Sequence, residues 1–205
     1  CLHLYYVTIS TKALLHLLSN CPSLKKFTVL VFIEGKECDM IELFECLLVI
    51  EHLTIIGGNN MLEWLVLDSV PEELSTSLIH LKYFCFQEMS LDDDHHLTFL
   101  ALLIKCSPNL EEIVLEAQMG YKDENEICSG ILEKYSDVWL ENMKELKIAY
   151  FNNSKPFMEF VKFILARSPK LKVLICSWVE EGKELEMLKG LLEAPHVSPV
   201  KIVVR

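Results

Sequence analysis

The sequence has no Cys-x-x-Cys pair, although it carries 8 cysteines. That absence excludes the common zinc modules and a small disulfide scaffold, both of which depend on closely spaced thiols. Long apolar runs are also missing: Cys46–Ile50 gives way to Glu51 and His52, and Phe99–Ile104 stops at Lys105. Both fall well short of the ~20 residues that a bilayer-crossing helix needs. Basic residues are scarce, with 19 Lys and Arg against 30 Asp and Glu for a net charge of −11. Phosphate backbones are held by cations that displace counterions, so no nucleic-acid partner is expected. Neither basic-aromatic interleaving nor a Lys/Arg-rich amphipathic face is visible, so no membrane partner is expected either. The chain opens on Cys1 rather than Met and enters a strand-like pattern at once through Leu2, Leu4 and Tyr5. With no basic-then-apolar leader, the expectation is that the natural start lies upstream.

What is present is a large apolar content, 51% of 205 residues, enough for a sizeable core and incompatible with a disordered chain. Charge is uneven: residues 1–137 hold 8 basic against 22 acidic side chains, and residues 138–205 hold 11 against 8. The acidic stretch reads either as solvated helix faces or as a surface suited to basic partners. Cys21 and Cys106 fall at helix ends and Cys176 in a strand, where repeats take small apolar residues. Reduced, buried thiols are therefore expected, with a reducing compartment, cytoplasm or nucleus, following from them.

One unit recurs six times: an amphipathic helix, a break often containing proline, then apolar-x-x-apolar-x-apolar. The triplets are Leu24/Phe27/Val29, Ile50/Leu53/Ile55, Leu81/Phe84/Phe86, Leu110/Ile113/Leu115, Met143/Leu146/Ile148 and Leu171/Leu174/Cys176. Their first members lie 26, 31, 29, 33 and 28 residues apart, the long end of the range for leucine-rich repeats. A full helix in each unit accounts for that length. Helix starts are marked by Thr11, by Asp39 with Glu42, by Asn60 with Glu63, and by Ser154 before Lys155-Pro156. Cys21-Pro22, Ser107-Pro108 and Ser168-Pro169 mark helix ends. Further helices are predicted over 93–106, 124–135 and 181–193. Strand–helix alternation with right-handed crossovers predicts an α/β leucine-rich-repeat solenoid, its parallel sheet on the concave face and its helices on the convex face.

Period 2 within the strands turns the triplets into the core and their neighbours onto the open sheet face. Those neighbours are Lys26, Thr28 and Leu30; His52, Thr54 and Ile56; Tyr83, Cys85 and Gln87; Glu112, Val114 and Glu116; Glu145, Lys147 and Ala149; Val173, Ile175 and Ser177. Leu30, Ile56, Val114, Val173 and Ile175 make this face unusually apolar. Either it binds a partner or another segment covers it.

Residues Val138 to Trp178, VWLENMKELKIAYFNNSKPFMEFVKFILARSPKLKVLICSW, resemble the FBD domain of plant F-box/FBD/leucine-rich-repeat proteins. Leu146 and Ile148, Glu159 and Phe160, Lys162, Ser168, Pro169, Leu171 and Lys172 fill that domain's pattern. Upstream, Val70-Pro71, Leu78-Ile79-His80-Leu81-Lys82 and Ser107-Pro108-Asn109-Leu110-Glu111-Glu112 are similar to the repeats that precede it. Glu184-Leu185, Met187-Leu188 and Ser198-Pro199 resemble the closing helix and strand. The resemblance implies a repeat region over 1–137 and an FBD-like domain over 138–205 that continues the solenoid. It also implies a complete protein whose N-terminal F-box, absent from this chain, would hold the adaptor of a cullin-based ubiquitin ligase while the repeats hold a protein substrate.

Chemistry is thinly represented. Asp92-Asp93-Asp94-His95-His96 is the densest ligand-capable run, but adjacent side chains diverge and acidic residues suit a helix start. A Cys/His nucleophile pair drawn from His52, His80, Cys38, Cys46 and Cys85 has no supporting motif. Gly57-Gly58-Asn59-Asn60 lacks a phosphate-loop signature and reads as a turn with an N-cap. Trp64 is expected in the core, and Trp178 as an exposed aromatic able to anchor a partner. No catalytic, cofactor or metal site is expected, and the protein is read as a binding module rather than an enzyme. The residues expected to grip a partner protein are Lys26, Thr28, His52, Thr54, Tyr83, Gln87, Glu112, Glu116, Lys147 and Ile175. A truncated scaffold that binds proteins without a ligase is the alternative.

Overall fold

The computed structural model describes residues 1–34, 38–57, 65–66, 77–89, 94–117, 130–151, 155–179 and 182–204. Eight strands form one parallel sheet. In chain order its members are β1 (Leu2–Ser10), β2 (Lys26–Glu34), β4 (His52–Ile56), β6 (Tyr83–Met89), β7 (Glu112–Ala117), β8 (Glu145–Ala149), β9 (Val173–Ser177) and β10 (Lys201–Val204). Spatial order equals chain order, so each unit packs only on its neighbours, which is the signature of a solenoid. β3 (Cys38–Asp39) and β5 (Leu65–Val66) pair separately in parallel; nothing in the periodicity announces them. The helices are α1 (Thr11–Ser19), α2 (Met40–Cys46), α3 (Asp94–Cys106), α4 (Lys155–Leu165) and α5 (Glu184–Leu192), with a 3₁₀ turn over Leu132–Tyr135.

All six predicted triplets point into the core, and none of their residues is more than 8% exposed. The helices cover them from one side: α4 contributes Phe157, Phe160, Val161 and Ile164, and α3 contributes Phe99, Leu100, Leu103 and Ile104. Phe99 meets Phe44, Phe84 and Phe86 at centroid distances of 6.4, 6.4 and 6.1 Å. The middle of the solenoid is thus aromatic where the repeat usually takes leucine.

The same turn joins helix to strand in every unit. Leu24, Ile50, Leu81, Leu110, Met143 and Leu171 each donate a backbone hydrogen bond to the carbonyl three residues earlier, at 3.0–3.3 Å. The residue after each forms a charge ladder along the leading edge of the sheet: Lys25, Glu51, Lys82, Glu111, Lys144, Lys172. Lys25 Nζ lies 2.7 Å from Glu51 Oε1, and Lys144 pairs with Glu111. These lysines hold the Glu51 and Glu111 carboxyls below their ordinary range, chiefly by hydrogen bonding. The alternation of sign breaks once, at Lys144 and Lys172. An asparagine ladder runs beside it: Asn109 Nδ2 donates to the Ile79 carbonyl at 2.8 Å, and Asn142 Nδ2 to Asn109 Oδ1 at 3.1 Å.

Several local expectations shift. The α1 cap is Ser10, one residue before Thr11; its hydroxyl accepts from the Ala13 N–H at 3.3 Å. The helix expected over 124–135 is a 3₁₀ turn at Leu132–Tyr135, preceded by a turn at 130–131, and 124–129 lie outside the described residues. The helix starts expected at Asn60 and Ser154, and Trp64, also lie outside them. Cys106 and Cys176 are buried free thiols, and Cys21 is half-buried. Burial raises the Cys106 thiol to about 11 and that of Cys176 to about 12. His96 is in the core, edge-on to Phe86 at 5.3 Å. No described helix is long and apolar enough to cross a membrane.

The open sheet face as candidate functional site

Parallel pairing sorts the open-face residues into rows running across the sheet; β6 keeps register with β7 as far as Phe86 and then shifts before Met89. Lys26, His52, Tyr83, Glu112, Glu145, Val173 and Lys201 are in register, as are Thr28, Thr54, Cys85, Val114, Lys147, Ile175 and Val203. Beyond the shift between β6 and β7, Gln87 stands beside Ile56, and Glu116, Ala149 and Ser177 are in register with one another. The ten expected residues therefore occupy one continuous surface. From β2 to β9 it is five strand spacings, about 24 Å, across. Lys26 is exposed and the other nine are half-buried. Cys85 is only 5% exposed although its position belongs to this face. Burial raises its thiol above the ordinary value, and burial likewise raises the neighbouring Tyr83 phenol.

Polar side chains on the face are tied to one another. Lys147 Nζ donates to Glu112 Oε1 at 2.8 Å and lies 3.3 Å from Glu145 Oε2. Gln87 Nε2 donates to Glu116 Oε2 at 2.9 Å. His52 tilts over Tyr83, with ring centroids 5.5 Å apart. Burial, then the Lys26 charge, hold its imidazole below the ordinary pKa.

Beyond β8 and β9 the character changes. An open pocket of about 680 Å³ is lined by Val114, Ala149, Ile175, Ser177, Trp178 and Val179, with Lys147 and Ile148 completing it. Its rim is aromatic: Trp178, 71% exposed, stacks on Tyr150 at 5.9 Å with 22° between the rings. Both residues are left-handed, with φ of 58° and 56°, and Glu88 takes the same conformation at 57°. Such a conformation costs an L-residue roughly 1–2 kcal/mol. Tyr6, inside β1, is left-handed as well at 53°, and Glu88 falls where β6 shifts register against β7. Trp178 is the exposed aromatic that its place after β9 predicts, but sequence reasoning left Tyr150 out. The two residues are 28 apart, the same interval as Met143 to Leu171, so overlaying the last two repeats places one ring on the other.

No metal-binding group of three or more His, Cys, Asp or Glu side chains exists among the described residues.

Comparison with known proteins agrees with this architecture. The chain is 27% identical over 149 residues to the F-box/FBD/LRR-repeat protein At1g13570 of Arabidopsis thaliana, an alignment covering 71% of this chain and 36% of the relative. It thus spans little more than a third of that relative's length. Residues 35–189 match the family model described as the At1g61320/AtMIF1 LRR domain. With most of its length covered by that model and its strands stacked in repeat order, the chain belongs to the At1g61320/AtMIF1 leucine-rich-repeat domain family, a protein-interaction repeat scaffold.

Proposed function

We propose that this scaffold is the substrate-recognition part of an F-box subunit of a cullin-RING ubiquitin ligase. It would hold a protein substrate on the open sheet face, and a separate F-box would hold the adaptor. The observation that carries the binding half is the face itself: seven registered strands present half-buried polar and apolar side chains in rows, with no described helix lying over them. The ligase half is favoured by the similarity to an F-box/FBD/LRR-repeat protein. In this reading residues 138–205 are an FBD-like unit continuing the solenoid from residues 1–137. The protein works in the cytoplasm or nucleus, where its thiols stay reduced.

The test is to express the longer protein encoded by the transcript upstream of Cys1 and ask whether it captures the cullin adaptor. Capture is the expected result. An upstream sequence without an F-box, together with no capture, would reduce the protein to a free-standing scaffold and remove its ubiquitin role.

A further inference from the structure

The pocket beside Trp178 and the carboxylates next to it make different demands, and one kind of ligand meets both. Val114, Ala149 and Ile175 give the pocket an aliphatic lining, and Trp178, stacked on Tyr150, completes it with an aromatic ring. On the adjoining open face of β7 and β8 stand three carboxylates, Glu112, Glu116 and Glu145, against one ammonium, that of Lys147, which also lines the pocket. Lys147 is already shared by Glu112 and Glu145. Glu116 is held by an amide, Gln87, and no described cation pairs with it. The face beside the pocket thus carries excess negative charge, and its most exposed aromatic offers a π surface at the pocket edge.

We infer that this pocket binds an extended segment of a partner protein in which an apolar side chain is bracketed by arginines. This deepens the reading of the open face as the partner-binding surface and rests on it. The apolar side chain fills the floor over Ala149 and Ile175. One guanidinium continues the Tyr150–Trp178 stack, a geometry favoured for a flat, weakly hydrated cation over indole. The other reaches Glu116, where a planar two-pronged donor suits a carboxylate. Spacing agrees. Glu116, Ala149 and Ser177 share a row, which puts Glu116 about 10 Å from Ser177. An extended peptide presents residues i, i+2 and i+4 to one surface and spans about 13 Å between the outer two, which carries the second guanidinium past Ser177 to Trp178. Glutamate in place of either arginine would meet like charge at Glu116 or lose the attraction to the ring. A purely aliphatic segment would fill the floor but leave the carboxylate excess unmatched.

The probe is a fluorescein-labelled decapeptide with Arg-Ser-Leu-Ser-Arg at its centre, titrated with the 205-residue chain and followed by fluorescence anisotropy. Its twin has Glu-Ser-Leu-Ser-Glu. Binding of the arginine peptide alone is expected. Trp178→Ala should weaken it about thirtyfold, the effect of losing a central aromatic anchor, and Trp178→Tyr should restore most of the loss. Glu116→Gln should weaken binding and flatten its salt dependence. Trp139→Ala, at a 48% exposed tryptophan that does not line the pocket, should bind as the parent does. Equal binding of both peptides, no binding of either, or indifference to Trp178→Ala in a variant with unchanged thermal melting would overturn the inference. Ala149→Gln, which fills the floor without touching the rim, provides a second variant. No ligase component enters the assay, so failed adaptor capture leaves this result standing, and failed peptide binding leaves adaptor capture standing.

Discussion

Lys147 Nζ on β8 lies 2.8 Å from Glu112 Oε1 on β7, one register row away. The pair is a diagonal contact between adjacent strands, and the hydrogen bond to Glu112 is the main reason the Lys147 ammonium holds its proton above its ordinary pKa. Both side chains remain partly exposed, 37% and 28%, so the pair is worth at most about 1 kcal/mol to the fold. Its larger effect is on the surface, where it fixes one lysine between two glutamates and leaves the face net acidic.

Reversing charge at Glu112 and Glu116 together, as Glu112→Lys and Glu116→Lys, therefore separates binding from folding. Affinity for the arginine peptide should fall by about tenfold or more, since like charge then faces the ligand. The melting temperature should move only slightly. Collapse of the fold instead would mean that these side chains point into the core and that the strand register is displaced by one residue.

The break in the leading-edge ladder offers a gain of stability. Lys172 follows Lys144 directly across the sheet, its N–H donating to the Lys144 carbonyl at 2.9 Å, where every earlier step puts opposite charges side by side. Lys172→Glu restores the alternation and should stabilise the protein by roughly 0.2–1 kcal/mol. Chemical denaturation with urea at low salt measures it. The gain should vanish in about 1 M salt, where the screening length is ~3 Å; a salt-independent gain would point to a cause other than charge.

Glu88 is exposed and left-handed at φ 57°. Glycine adopts that conformation without steric cost, and the added freedom of the unfolded chain offsets only part of the relief. Glu88→Gly should raise stability by up to about 1 kcal/mol, seen as a later urea midpoint with unchanged slope. A loss would show that the Glu88 side chain makes a contact that outweighs the strain.

The core of this solenoid was legible because the triplet pattern records two periods at once, 2 along the strand and about 30 along the chain, and burial of Leu24 through Cys176 in that pattern follows directly. The rows of the open face follow from the same register. What stayed hidden depends on backbone detail. Ser10 rather than Thr11 caps α1 because the hydroxyl that reaches the Ala13 N–H belongs to the last extended residue. Burial of Cys85 on the open face reflects its neighbours in three dimensions, not its own parity. The pocket beside Trp178 requires knowing that β8 and β9 are each followed by a left-handed residue, Tyr150 and Trp178, whose rings stack.

His52 sits in the first row beside Tyr83, and burial followed by the Lys26 charge lowers its pKa, with Lys82 adding to them and Glu51 and Glu112 opposing. Above the ordinary imidazole value of about 6.5 the ring is neutral in both folded and unfolded chains, and His52 adds no pH dependence. As pH falls below that value the unfolded chain takes up the proton first. Stability is then lost as pH drops through the lower folded value, beneath which the difference is constant. His52→Gln removes this proton and keeps a polar side chain of similar reach. Melting should therefore fall less steeply for the variant than for the parent between about pH 7 and pH 5. The Glu51 and Glu111 carboxyls are held below their ordinary range and act beneath this window; His52 is the last of the causes that lower Glu51, so the comparison is made above the range in which Glu51 titrates. Parallel melting curves for the two proteins across that window would mean that His52 is as free to protonate in the fold as in the unfolded chain.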